Sequence, residues 1–174
     1  GAMRAGQDAT PHRMKEDWDE RAREDVYRYV DHRAGTDEEM HTLGVRDTEL
    51  LLADVGAFLR PDHAAVEIGC GPGRLLVPMA SRFREVWGTD VSREMIEMAQ
   101  RRVAPLGNVR ALETGGDGLE GVPSEYFEFC YSSFVFECIP ERSVISRYLE
   151  EAYRVLKPGG FLKFNAAGVY PRNP

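Results

Sequence analysis

Four residues at alternate positions, Glu67, Gly69, Gly71 and Gly73, stand between the apolar run Ala64-Ala65-Val66 and a segment with helical spacing, Leu75, Leu76, Met79, Ala80 and Phe83. The pattern predicts a strand, a tight loop and a helix. Glycine lets the backbone turn sharply and approach a ligand with no Cβ in the way, and the N–H groups opening the next helix point at the same spot. Dinucleotide pyrophosphates use such a turn when it is spaced G-x-G-x-x-G. Here the third glycine comes one residue early and Arg74 occupies the place of the fingerprint glycine. Glu67, at the end of the strand, repels a phosphate and attracts an ammonium group. Nineteen residues beyond Gly71, a short strand from Arg84 ends in Asp90. A carboxylate there can accept both hydroxyls of a ribose, and each such charged bond contributes roughly 1.5–3 kcal/mol. The competing role for Asp90 is that of an N-cap for the helix starting near Ser92. Together these residues point to a pocket for a positively charged, phosphate-free nucleoside.

The array Glu67-x-Gly69-x-Gly71-x-Gly73, with Asp90 and the later turn Leu156-Lys157-Pro158-Gly159-Gly160, resembles the signatures of the class I S-adenosylmethionine-dependent methyltransferases of small-molecule type. The resemblance covers roughly Trp18 to Asn165. It implies a Rossmann-like α/β fold, with a doubly wound, mostly parallel sheet and an N-terminal helical extension. It also implies S-adenosylmethionine as cofactor, released as S-adenosylhomocysteine, and methyl transfer to an O, N or C atom of a small-molecule acceptor. The cofactor's ammonium and sulfonium agree with the acidic strand end.

Residue by residue, the resemblance places Glu67, Gly69, Cys70, Gly71, Gly73 and Asp90 around the cofactor. Val91 and Met95 become apolar contacts to adenine, with core packing as their ordinary role. In the loop after the strand Asn108 to Glu113, Asp117 and Gly118 match the position that reads the adenine edge, although an Asp-Gly turn has the same sequence. Ser132 and Ser133, after the strand that begins near Tyr126, are expected at the methionine end. The histidine that the resemblance leads one to expect near Glu137 and Cys138 is absent. Glu137, Tyr131 and His41 remain as candidates for a general base, should the acceptor need one. Glu137 can equally be a surface carboxylate, and His41 a solvated loop residue.

Met14 to Arg33 has no Gly or Pro and carries Trp18, Tyr27 and Tyr29, which predicts a surface helix. The resemblance implies a lid over the cofactor mouth for this helix, with Trp18 and the tyrosines either closing that mouth or stapling the helix to the body. Gly35-Thr36-Asp37 reads as a break, and a second helix is expected from about Asp47 to Leu59. Asp47 or Thr48 would cap it, Leu50, Leu51, Val55, Phe58 and Leu59 would form its apolar stripe, and Pro61 would end it. A further helix has Val144, Tyr148, Ala152 and Val155 on one face. Domain organisation follows as a tag remnant and lid segment over 1–45, with Gly1-Ala2-Met3 the remnant, and a cofactor-binding body over 46–174. The resemblance calls for two more strands after Phe164. Only residues 165–174 follow, so those strands are expected to be missing.

Composition narrows the partners. A 174-residue chain that is 43% hydrophobic fits one domain with a sizeable core. A net charge of −7, with no basic run longer than Arg101-Arg102, argues against a nucleic-acid substrate. Cys70, Cys130 and Cys138 form no disulfide or metal-ligand pattern, so no metal is expected and a reducing, cytoplasmic setting is the default. No apolar run of about twenty residues predicts a membrane span. Oligomeric state stays open. Two rival readings are a non-catalytic module that binds S-adenosylmethionine and, disfavoured by Gly73 and Glu67, an NAD-dependent oxidoreductase.

Overall fold

A computed structural model describes residues 9–165. Gly1–Met3, expected to be a tag remnant, and the residues after Asn165, where further strands are expected to be missing, lie outside the described residues. Five strands form one sheet in the order β3-β2-β1-β4-β5, all parallel: β1 Ala64–Ile68, β2 Glu85–Asp90, β3 Val109–Glu113, β4 Phe127–Ser132 and β5 Leu156–Phe164. Every residue of β1 is buried, because helices cover both faces of a parallel sheet. α3 (Leu76–Ala80) and α4 (Arg93–Val103) pack on one face with Leu76, Met79, Ile96 and Ala99. α5 (Arg142–Val155) packs on the other, burying the expected stripe of Val144, Tyr148, Ala152 and Val155. Phe127, Phe129 and Tyr131 of β4 are fully buried, and each such side chain stabilises the fold by roughly 1.5–3 kcal/mol.

α1 (Ala9–Val30) corresponds to the expected surface helix, with a kink at Asp25, whose backbone leaves the helical region. The Asp25 carboxylate accepts the Arg28 N–H at 3.2 Å, as an N-cap would, so the helix restarts there. The second helix differs from expectation. α2 spans Asp37–Leu52, and Gly35-Thr36-Asp37 opens it instead of breaking the chain. Thr36 Oγ1 accepts the Glu39 N–H, while Glu39 reaches back to the Gly35 N–H at 2.8 Å, a Thr-x-x-Glu arrangement that satisfies two otherwise orphaned donors. The helix stops at Leu52 and only a 3-10 turn, Gly56–Phe58, follows, which leaves Leu50 and Phe58 exposed, off the expected stripe.

The Lys-Pro-Gly-Gly segment lies within the span of β5. Leu156 pairs with Phe127 and Phe161 with Phe129, so the residues between bulge outward around Gly159, at φ +81°.

Candidate functional site

Strand order reverses between β1 and β4, and at the carboxyl ends of these strands lies a cleft of about 910 Å³, its solvent-facing mouth included. Its floor is the glycine loop. Gly69 and Cys70 both donate to the Thr89 carbonyl, at 2.8 and 2.9 Å, which bends the chain back against β2 as it leaves β1. Gly69, Gly71 and Gly73 all have positive φ, at 74°, 52° and 85°. A Cβ on Gly69 would collide with Val135, and one on Gly73 would press on Ala99 of α4 at 3.4 Å. Cys70 lines the cleft with its sulfur packed towards Gly88, where any Cβ would come within 2.8 Å of it.

Asp90 and Gly71 are joined directly. The Gly71 N–H donates to Asp90 Oδ2 at 2.8 Å and the Ser92 N–H donates to Oδ1 at 2.9 Å, and Asp90 lines the cleft. Burial pushes the Asp90 carboxyl up, against the pull of the Ser92, Gly71 and Val91 N–H groups. The cap of α4 is Ser92, whose Oγ accepts the Met95 N–H at 3.2 Å, so Asp90 is free of that role. Val91 and Met95 are buried and line the cleft beside Asp90.

Glu67 is 3% exposed and faces the cleft, where it accepts a hydrogen bond from the Tyr131 hydroxyl at 3.1 Å. Desolvation pushes its carboxyl up to about 8, against the opposing influence of Arg74 and Tyr131. Arg74 also lines the cleft. Its Nη1 is held by Asp47 at 2.5 Å, and its remaining N–H groups make no hydrogen bond among the described residues. The lining thus includes a carboxyl, Glu67, and a guanidinium cation, Arg74, groups suited to the two ends of a zwitterion. Arg74 was not singled out as a ligand from sequence; its place directly after Gly73 was the only signal. Met14, Trp18, Tyr29 and Val30 of α1 line the cleft, and Tyr27 does not.

Other candidates sit elsewhere. His41 is on the exposed face of α2, within a helix and not in a loop, because α2 begins earlier than expected. Tyr131 is fully buried and does not line the cleft; desolvation and the neighbouring Glu67 push its hydroxyl well up, and it donates to Glu67. Glu137 is exposed on the 3-10 turn Phe136–Cys138 and does not line the cleft, while its neighbour Cys138 does. Asp117 turns away to pair with Arg147 at 3.0 Å, and Gly118 is buried behind it; Thr114 is the residue of that loop that lines the cleft. Ser132 spends its hydroxyl on the Ile68 carbonyl at 2.9 Å, whereas Ser133 lines the cleft. The three cysteines are free. Among the described residues no cluster of three or more His, Cys, Asp or Glu could hold a metal, and no helix is long and apolar enough to cross a membrane.

The comparisons with known proteins agree with this geometry. The family described as a methyltransferase domain matches residues 65–160, more than half of the chain, and the chain belongs to it. S-adenosylmethionine is the methyl donor of this class of enzyme, and the fold is that of its class I members. The chain is 31% identical over 112 residues to a probable thiol methyltransferase 2 of Arabidopsis thaliana, covering 64% of this chain and 48% of that one. It is 32% identical over 127 residues to a trans-aconitate 2-methyltransferase of Sinorhizobium medicae, covering 72% and 44%. Among solved structures, a phosphoethanolamine N-methyltransferase 1 of Haemonchus contortus, in complex with phosphoethanolamine and S-adenosylhomocysteine, matches with a TM-score of 0.73. That match covers 93% of this chain and 33% of that one, at 21% identity. The chain spans less than half the length of these relatives. Family membership removes the NAD-dependent reading.

Proposed function

We propose that the cleft binds S-adenosylmethionine and that the chain transfers its methyl group to a small molecule. The observation that carries this reading is the Gly71–Asp90 hydrogen bond at the strand-order switch, with buried Glu67 and Arg74 on the same wall. These residues fit the cofactor: Asp90 keeps acceptor sites for a ribose diol, Glu67 meets the ammonium, Arg74 offers free N–H groups to the carboxylate, and Val91 and Met95 flank the base. Bound, S-adenosylmethionine supplies an electrophilic methyl carbon, which an acceptor lone pair displaces in line while the S–C bonding pair returns to sulfur. The protein's task is to align and to exclude water. α1, with Trp18 and Tyr29 over the mouth, serves the second purpose as a lid.

The acceptor side supports a nucleophile that brings its own lone pair. None of Glu137, His41 or Tyr131 presents a base to the cleft, so a thiolate, a carboxylate or an amine suits it better than an unactivated hydroxyl. Two relatives are named for a thiol and for trans-aconitate. Incubation of the protein with labelled S-adenosylmethionine and panels of thiols, carboxylic acids and amines should release S-adenosylhomocysteine with one of them. Tight cofactor binding with no turnover on any panel would point instead to the non-catalytic module.

Cofactor affinity should depend on pH through Glu67. Its carboxyl takes up a proton more readily folded than unfolded, so without ligand its contribution to stability falls as pH rises from the usual carboxylate range to about 8. An ammonium facing it favours the ionised form and reverses that trend. Calorimetry in buffers of different ionisation enthalpy should show affinity rising between about pH 6 and 7.5, by at most about tenfold per pH unit, with net proton release. Glu67→Gln should flatten the profile; an unchanged slope in that variant rules the carboxyl out.

A further inference from the structure

α1 is fastened on both sides of its Asp25 kink, and its first half is also tied by Lys15 to the Val91 carbonyl and Glu113 and by Arg23 to Glu94. In the first half, Asp19 accepts from Ser92 Oγ at 2.6 Å and from the Glu94 N–H at 3.2 Å, fixing the helix to the start of α4. In the second, Asp31 follows directly on the cleft-lining pair Tyr29-Val30 and enters a four-charge cluster. Arg33 grips both oxygens of Asp31, at 2.7 and 2.6 Å, and reaches Asp47 of α2 at 2.7 Å. Arg74 of the glycine loop completes it, 2.5 Å from Asp47 and 3.7 Å from Asp31. The side chains of Asp31, Asp47 and Arg74 are 5%, 12% and 7% exposed. α2 lies flush on the loop, for a Cβ on Gly44 would collide with the Arg74 carbonyl.

Burying three charges, Asp31, Asp47 and Arg74, beneath a half-exposed Arg33 is an inefficient way to stabilise a fold when apolar side chains would do as well. What the cluster does provide is a connection: one cation, Arg74, faces the cleft and also holds the two carboxylates that tie down α1 and α2. Val30 stands over Gly71, 3.8 Å from where a Cβ on that glycine would be. We propose that Asp31, Arg33, Asp47 and Arg74 form a latch that positions Tyr29 and Val30 over the glycine loop and sets how fast a bound nucleoside leaves. The latch rests on the cofactor reading given above. An anionic group of the ligand at Arg74 shares that cation with the lid, so occupancy of the cleft and closure of α1 reinforce one another, and Asp25 is the point at which the second half of α1 swings.

The test is the dissociation rate of S-adenosylhomocysteine, followed by stopped-flow tryptophan fluorescence with Trp18 at the mouth as reporter. Asp31→Asn and Asp47→Asn should each speed dissociation by about tenfold or more while association changes by less than about threefold. Glu151→Gln, which loosens the Arg154 ties on the opposite face of the sheet, should lower the melting temperature and leave dissociation unchanged. Dissociation within twofold of wild type in both Asp variants, whatever their melting temperatures, overturns the latch. Hydrogen exchange on the ligand-free protein separates the two ideas. Asp31→Asn should exchange faster over residues 26–33 with α5 unaffected, and unaltered exchange there also overturns the latch. A wild-type protein that binds neither S-adenosylmethionine nor its product refutes the cofactor reading, while exchange still decides the latch.

Discussion

Gly71→Val should abolish S-adenosylmethionine binding, with no saturable heat in calorimetry at ligand concentrations about a hundredfold above the wild-type Kd, a loss of roughly 3 kcal/mol or more. Gly71 has φ +52°, in the left-handed region, where a β-branched residue is strained by roughly 1–3 kcal/mol. A Cβ at this position would stand at ordinary contact distance from Val30, so the folded body can accept it. The branches of valine would fill the gap between the glycine loop and α1, where the cofactor has to lie. Relief of the strain would also turn the Gly71 N–H off Asp90. Far-UV circular dichroism should remain close to wild type, and Gly71→Ala should lose less affinity than Gly71→Val. A Kd for Gly71→Val within threefold of wild type would remove the loop from the binding site.

Asp90→Asn should weaken S-adenosylmethionine binding by at least about tenfold, and by more if both ribose hydroxyls donate to it, since each charged hydrogen bond is worth roughly 1.5–3 kcal/mol. Its two oxygens already accept from the Gly71 and Ser92 N–H groups. An amide keeps one acceptor and turns an NH₂ group towards one of those donors, so the variant loses both charge and a loop contact. Two measurements separate these effects. A fall in melting temperature reports the loop contact, and the calorimetric Kd at a temperature where both proteins are folded reports the ribose. Unchanged affinity would take Asp90 out of the site.

Where local chemistry decided the conformation, the sequence was legible. The alternation of Glu67, Gly69, Gly71 and Gly73 predicts strand, turn and helix because the positive φ angles at those glycines are available to little else. Asp90, Val91 and Met95 followed because they continue a strand-to-helix junction of fixed geometry. The stripe on α5 was legible because a 3.6-residue period with a single buried face has one solution. The start of α2 was written in Thr36 and Glu39 as well, but Gly35 beside them reads first as a break.

The class of fold, the acid-tipped glycine loop and the carboxylate that follows it are thus legible in local pattern, since all three depend on backbone freedom and short-range periodicity. Which polar side chains reach the cleft depends on contacts made across the folded chain. Asp117 is drawn off by Arg147, Ser132 by the Ile68 carbonyl and Tyr131 by Glu67, while Arg74 is brought in between Glu67 and the carboxylates of Asp31 and Asp47. The physical reason is that a polar side chain leaving water takes the nearest partner the packing offers. That partner here comes from a segment 27 to 64 residues away in the chain, beyond the reach of any local pattern.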